Sequence, residues 1–589
     1  MSAMNVRQTR FIHLATAAVV LSLCVAGRLA GQSATTDWPS YNRTLTSERY
    51  APLDQIDKNN VASLRQVCVY DLNVDNNFQT GPIVVGRTLY ATTDKELVAL
   101  DAETCQQKWR VREDGPAGGL GVNRGAAYLD GRLFRGTSDG SVAAYDAETG
   151  KKIWSTRLAD REKGESVPSA PLAWNGLVFV GTAGSDVYGV KGRMYGIEAA
   201  TGKVVWETYT VPTDAPQPGN EKMQAQAKVT WGNENGIPVT GGGTWSTYSL
   251  DAQRGLLYIP TGNPGPDFTN DVRPGDNLYT NSVLVLDART GIYRNHYSLV
   301  PADFHDWDLS AAPVLVTTKG GKRVVAGAPK DGLLHVYDLA TDKKLYATPV
   351  TTRENEEKPL STTPTHFCPG AGGGTEWNGP AYSPDTNLFY SGTVDWCVTV
   401  TLDPSELAKK PGQAWTGTQL AAQFGTRDLN WAGWMTAVDA DSGLVKWRFR
   451  AGAPVLSGIT PTKGGLVFAG DMDKHAYAFD AATGKILWRT DLPGAPGGGL
   501  ITYAVGGNST SRSSWARGYG CFLGLPRARR LSSSACEHAT RKVEPGSLRL
   551  TRRARPFRWQ IATPLFRRET RQELTLEQHP SLRPCRRRS

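Results

Sequence analysis

An all-β, eight-bladed β-propeller is the fold class this sequence predicts, on three observations: its composition, a recurring acidic turn followed by an aromatic residue, and the spacing of that turn. The chain of 589 residues holds 63 Gly, 35 Pro, 17 Trp and 21 Tyr, and only 21% of it is charged. That balance suits short aromatic strands joined by tight turns better than helices. The length exceeds what one small core can close over.

Seven segments share the second feature: residues 101–109 (DAETCQQKW), 146–154 (DAETGKKIW), 198–206 (EAATGKVVW), 287–293 (DARTGIY), 338–346 (DLATDKKLY), 439–447 (DADSGLVKW) and 480–488 (DAATGKILW). Each reads as a strand, an Asp-x-x-Thr-Gly turn and a second strand, whose aromatic can pack between neighbouring units. Their leading acids stand 45, 52, 89, 51, 101 and 41 residues apart. A unit of forty to fifty residues is the period of a propeller blade and too short for an immunoglobulin-like array. With the two long gaps read as two periods each, and a degenerate unit at 382–390 (YSPDTNLFY), the count comes to about eight.

Residues 1–31 read as a signal peptide. Arg7 and Arg10 precede an apolar run from Phe11 to Ala26, and small residues follow at Ala26, Gly27, Ala30 and Gly31. The run is short for a membrane span, so the mature chain is expected to have none and to be periplasmic. Cys68 with Cys105, and Cys368 with Cys397, can pair in an oxidising compartment, although spacing alone leaves connectivity open. No C-x-x-C-H is present, so no covalent haem site is expected.

The richest stretch is 241–264 (GGGTWSTYSLDAQRGLLYIPTGNP). It reads either as a glycine-rich hairpin with a core tryptophan or as a binding floor, with Trp245 offering a π face and Asn263 delivered onto a turn. Taken singly, Asp186 and Asn263 could each equally cap a turn.

The formal net charge of +10 resides in the C-terminal tail: residues 508–589 carry +14 and residues 1–507 carry −4. A nucleic-acid partner is therefore not expected of the main body. In this Arg-rich tail the repeats stop and aspartate vanishes. A disordered basic tail, an arm for anionic surfaces and an out-of-frame C-terminus all fit; the last is favoured because 501–507 (ITYAVGG) is left as a strand and turn without a partner.

Across residues 37–507 the chain resembles the pyrroloquinoline-quinone (PQQ) dependent alcohol dehydrogenases of the periplasm. The likeness runs through 38–56 (WPSYNRTLTSERYAPLDQI), 77–93 (NFQTGPIVVGRTLYATT), 122–140 (VNRGAAYLDGRLFRGTSDG), 169–186 (SAPLAWNGLVFVGTAGSD), the glycine stretch, 304–315 (FHDWDLSAAPVL), 368–384 (CPGAGGGTEWNGPAYSP) and 393–397 (TVDWC). It implies an eight-bladed propeller of quinoprotein alcohol dehydrogenase type, of the soluble kind without a haem domain, with PQQ in a central funnel. By position, Trp245 is the stacking floor. Asp186, Asn263 and Asp308 are the metal ligands, oxygen donors suited to Ca2+. Asp308 is also the catalytic base, with Asp306 as the alternative. Arg124 and Lys330 face the quinone oxygens, and Gly184, Ser185 and Thr244 lie beside the ring. The expected partners are an alcohol substrate and a cytochrome-type electron acceptor. His305 is read as a structural hydrogen-bonder.

Three positions depart from the pattern. Gly118-Gly119 stands where many relatives carry adjacent cysteines, Gln79 where a glutamate is frequent, and Ser310 where lanthanide-using relatives carry a second aspartate. The missing cysteine pair and the altered C-terminus motivate an alternative reading, a non-catalytic scaffold or assembly propeller of the cell envelope.

Overall fold

The computed structural model describes residues 36–73, 78–114, 121–233, 236–419, 431–505, 508–514 and 519–524, the last two segments by backbone alone. The signal segment, Gly118-Gly119 and the tail beyond 524 lie outside the described residues.

Seven blades of four consecutive antiparallel strands span residues 83–112, 127–157, 172–209, 249–298, 314–349, 380–451 and 460–491. In blade 2, for example, Ala127–Leu129, Arg132–Gly136, Ser141–Asp146 and Lys152–Arg157 follow in order, and burial fades from the inner strands to the alternating outer one. Each acidic turn joins the third strand of a blade to the fourth. Asp146 accepts the Thr149 N–H at 2.8 Å and its hydroxyl at 2.7 Å, an Asx-type turn.

In five of the seven repeats the aromatic docks on the next blade. The indole N–H groups of Trp109, Trp154, Trp206 and Trp447 donate to the carbonyls of Ala147, Ala199, Ala288 and Ala481 at 3.1–3.2 Å, and Tyr346 donates to Ala440 at 2.9 Å. This contact explains the Thr-Gly: Gly150 sits at φ +74°, and a Cβ there would lie 2.7 Å from the Trp109 ring.

The structure gives seven sequential blades rather than the eight counted from sequence. Residues 382–390 form no blade of their own: Pro380–Ser383 and Leu388–Asp395 are the inner strands of the blade whose outer hairpin carries Asp439. The two long gaps are insertions within or before single blades, at 210–248 and 261–281 around blade 4 and at 350–379 and 396–431 around blade 6. A length count cannot distinguish an added blade from an added loop.

One further four-stranded sheet is composite. Arg65–Asp71 pairs with Tyr519–Gly524, which pairs with Asn508–Ser514, which pairs with Leu500–Val505. The backbone thus continues this sheet past Gly507, where sequence reading ended the propeller and left the 501–507 strand unpartnered. Ile501, Tyr503 and Ala504 pack with Leu89, Val98 and Leu100 of blade 1, and Leu500 with Leu466 and Phe468 of blade 7. Buried Arg49 donates to the Ile459 carbonyl at 2.8 Å and to Asn42 Oδ1 at 2.7 Å. Both expected disulfides form: Cys68–Cys105 joins the composite sheet to blade 1, and Cys368–Cys397 closes the insertions around blade 6. Among the described residues no helix is long and apolar enough to cross a membrane.

Candidate active site

In an antiparallel blade the loop from the second strand to the third and the connection entering the first strand open at the same end. Residues distant in sequence therefore converge there. Asp186 lies on such a loop of blade 3, Asn263 and Asp267 on that of blade 4, and Lys330 on that of blade 5. Gln79, Arg124, Trp245 and Glu376 lie on the connections entering blades 1, 2, 4 and 6, and Asp306 and Asp308 on the one entering blade 5.

The glycine stretch seats these loops against one another. Gly241, at φ +127°, lies so close to the Asn263 carbonyl that a Cβ would stand 2.5 Å from it, and a Cβ on Gly262 would stand 2.7 Å from Asp308 Oδ1. What the glycines approach is the chain's own loop around Asn263 and the Asp308 carboxylate. Ser185 Oγ accepts the Gly243 N–H at 2.6 Å, and Thr244 N donates to the Thr182 carbonyl at 2.9 Å. Ser185 and Thr244 are thereby locked into the wall, where Gly184 packs against Gly164.

Trp245 keeps one part of its surface open. The Arg124 guanidinium stands 4.4 Å from its ring centroid and donates to its carbonyl at 2.8 Å, with the Trp377 ring 5.8 Å away. Burial lowers the Arg124 pKa to about 10, against the opposing charges of Tyr41, Glu376 and Asp308. Arg124 Nε and Gln79 Oε1 are buried without hydrogen-bond partners.

Beside this floor lies a knot of carboxylates. Asp186, Asp267 and Asp306 each bring one oxygen within 4.8 Å of the other two. Asp308 flanks them, with Oδ1 accepting the Asn263 N–H at 2.5 Å and Oδ2 standing 3.1 Å from Lys330 Nζ, which is also 3.3 Å from Asp306. Asn263 Nδ2 donates to Asp267 at 2.8 Å, leaving Asn263 Oδ1 free. Of the three ligands expected from sequence, Asp186 and Asn263 face this knot, while both oxygens of Asp308 are engaged at its side.

Crowding by protein atoms and the charge of Asp308 raise the Asp186 pKa to about 6 although the residue retains exposed surface; the Lys330 ammonium opposes the shift. Burial, then the neighbouring carboxylates, push Asp267 well above the carboxylate range; Asp306 is raised by burial against the pull of Lys330. Burial opposes the charge on Lys330, but Asp306 and Asp308 overcome it and hold the amine protonated. Glu376 is raised to about 7 by burial, against Lys330 and Arg124.

Buried acceptor oxygens without donors are the signature to test against a cation. Asn263 Oδ1, Asp267 Oδ2 and Asp306 Oδ1 are all of this kind, and an all-oxygen set fits a hard cation. A partly open indole face, a guanidinium with a spare N–H, an ammonium and a free carboxamide oxygen likewise fit a flat, polyanionic quinone.

Asp267 and Glu376 escaped the sequence reading. Neither stands in the acidic repeat, although Glu376 lies in one of the stretches that carry the resemblance. His305 stacks on Trp307 with centroids 4.0 Å apart and stands 3.7 Å from Asp303, away from the open face.

The family model described as the β-propeller domain of glucose/ethanol/alcohol dehydrogenases (PQQ) matches residues 38–358. The chain belongs to this family. A second model, described as outer membrane protein assembly factor BamB, matches residues 432–506. Relatives include the quinohemoprotein alcohol dehydrogenase ADH-IIG of Pseudomonas putida, 30% identical over 83% of this chain and 74% of the relative. Another is the lanthanide-dependent methanol dehydrogenase of Methylacidiphilum fumariolicum, 30% identical over 84% of this chain and 86% of that one. Among solved structures, ADHIIG of Pseudomonas putida HK5 superposes with a TM-score of 0.75 at 27% identity, covering 86% of this chain and 82% of its own. A europium-containing methanol dehydrogenase superposes with a TM-score of 0.68 at 28% identity, covering 81% and 89%. The match to the PQQ family lies over the blades that carry Asp186, Asn263, Asp308 and Lys330.

Proposed function

We propose that this member of the PQQ dehydrogenase family is an exported, periplasmic quinoprotein that oxidises an alcohol with PQQ and Ca2+ and passes the electrons to a separate carrier such as a cytochrome. The observation that carries this reading is the convergence, beside the open face of Trp245, of Arg124 and Lys330 with carboxylates and a carboxamide whose buried oxygens lack donors.

In this reading Trp245 is the stacking floor, and Gln79, Arg124 and Lys330 hold the quinone, with Gly184, Ser185 and Thr244 shaping the wall. Asp186, Asn263 and Asp308 hold the cation. When bound, the metal-activated quinone supplies the electron-poor acceptor for the hydride. Asp308 receives the hydroxyl proton of the substrate. It is aimed for this by the Asn263 N–H at one oxygen and by Lys330 at the other, so its position is set before substrate arrives. Asp306, held by Lys330 alone, is less fixed. The composite sheet, packed against blades 1 and 7, serves as the eighth unit that closes the ring.

The test is reconstitution. The purified chain, stripped of metal and given PQQ and Ca2+, is expected to show quinone absorbance and alcohol-dependent dye reduction, and Asp308→Asn is expected to lower turnover at least ~100-fold while retaining the quinone. Neither absorbance nor turnover in folded protein would reject the reading.

A further inference from the structure

Asp267 and Asp306 are not among the residues assigned to the cation above, yet both are buried and each brings a carboxylate oxygen within 4.8 Å of one of Asp186. Asp267 is fully buried with Oδ2 unpartnered; Asp306 is 5% exposed with Oδ1 unpartnered. Carboxylates placed this closely repel one another, and Lys330 offsets only one unit of charge, from the Asp306 and Asp308 side. Among the described residues Asp267 has no cationic group at hydrogen-bond distance: it accepts from the neutral Asn263 amide at 2.8 Å.

That hydrogen bond turns Nδ2 of Asn263 toward Asp267. Because Nδ2 is turned to Asp267, the buried Oδ1 of Asn263 is left without a donor. Asn263 Oδ1, Asp267 Oδ2 and Asp306 Oδ1 are thus buried acceptors without donors, in residues around a cluster where one oxygen each of Asp186, Asp267 and Asp306 lies within 4.8 Å of the others.

We propose that Asp267 and Asp306 are direct ligands of the bound cation, together with Asp186 and Asn263 Oδ1, in a site richer in carboxylate than Asp186, Asn263 and Asp308 alone would make. This rests on the cation-binding reading above and extends its ligand set. Asp308, tied by the Asn263 N–H and Lys330, stands at the flank with its position set independently of the metal.

Such a site has a sign that an ordinary structural carboxylate lacks. Without metal, neutralising one carboxylate relieves repulsion; with metal, it removes a ligand. Asp267→Asn and Asp306→Asn keep shape and an acceptor oxygen. Relative to the unaltered chain, each is expected to raise the melting temperature in EDTA and to reduce the rise produced by saturating Ca2+. Titration with Ca2+, and with Tb3+ as a luminescent probe, is expected to show roughly tenfold or greater loss of affinity per substitution, larger for the trivalent ion because it loses more Coulomb energy per charge removed.

If the unaltered chain binds both ions, Asp186→Asn weakens them, and the Asp267 and Asp306 variants bind as tightly as the parent, the added ligands are refuted while the dehydrogenase reading stands. Variants that melt lower in EDTA as well as in Ca2+ also refute the proposal, since those carboxylates are then structural. Should the unaltered chain bind neither ion and show no alcohol turnover with PQQ, both readings fall together.

Discussion

Replacing Asp303 by asparagine tests how the loop that bears Asp306 and Asp308 is held. Asp303 is 2% exposed; its Oδ1 accepts the His305 N–H at 2.9 Å, and its Oδ2 accepts the Trp307 N–H at 2.9 Å and Asn281 Nδ2 at 3.0 Å. Arg273, also buried, donates to the Asp303 carbonyl at 2.8 Å and to the Pro266 carbonyl at 2.7 Å, joining this loop to the one that bears Asp267. Burial alone would raise the Asp303 pKa, but the hydrogen bond and charge of His305, the Trp307 N–H and Arg273 hold it below the usual carboxylate range. Asparagine preserves the shape and must turn its NH2 toward at least one of the three donors. A hydrogen bond to a charged group contributes about 1.5–3 kcal/mol, so one lost and two weakened bonds amount to about 3 kcal/mol.

The sign of the pH dependence follows. The folded pKa lies below the unfolded value of about 3.9, so the stabilisation is complete above that value and is lost as pH falls through the folded one. Urea unfolding of the metal-free protein at a series of pH values is the assay. The variant is expected to be about 3 kcal/mol less stable at pH 7, with the difference closing below about pH 4. A cost under about 0.5 kcal/mol, or one that stays constant across that range, refutes the account.

Three other outcomes are expected. Gly150→Ala, forced to a positive φ with its methyl group against the Trp109 ring, is expected to cost at least ~2 kcal/mol by thermal unfolding, far beyond an ordinary surface Gly→Ala change. Cys68→Ser opens a loop of sequence separation 37 and is expected to cost about 4 kcal/mol in the chain-entropy account, read as a lowered urea midpoint under oxidising conditions. Glu376, raised to about 7, favours the folded state most below its unfolded pKa and loses that contribution as pH rises through 7. Metal-free protein is thus expected to weaken by up to ~3 kcal/mol between about pH 4.5 and 7.5, and Glu376→Gln to flatten that slope.

The blades were legible because their determinants are local. An Asp, a Thr-Gly and an aromatic within nine residues specify a turn, a left-handed glycine and a plug for the next blade, and the structure shows each at its place, as with Asp146, Gly150 and Trp154. Asp186, Asn263 and Trp245 were nameable because they stand in motifs that carry a family resemblance, and Lys330 by its position within the region that resembles the family. The blade count was not legible, since the insertions at 210–248 and 350–379, between sheets, and at 261–281 and 396–431, within single sheets, read as missing repeats until hydrogen bonding assigned the strands around them. Nor was the pairing of 519–524 with a strand more than four hundred residues earlier, or that of 508–514 with 500–505, because no local pattern in that Arg- and Ser-rich segment marks them. Local chemistry in the sequence determined the unit of architecture, and the resemblance named Trp245, Asp186 and Asn263 on the loops that converge. Only tertiary structure brought Asp267, from one loop of blade 4, against Asp186 of blade 3 and Asp306 of the following connection, because convergence at a ring's centre depends on where every blade points its loops.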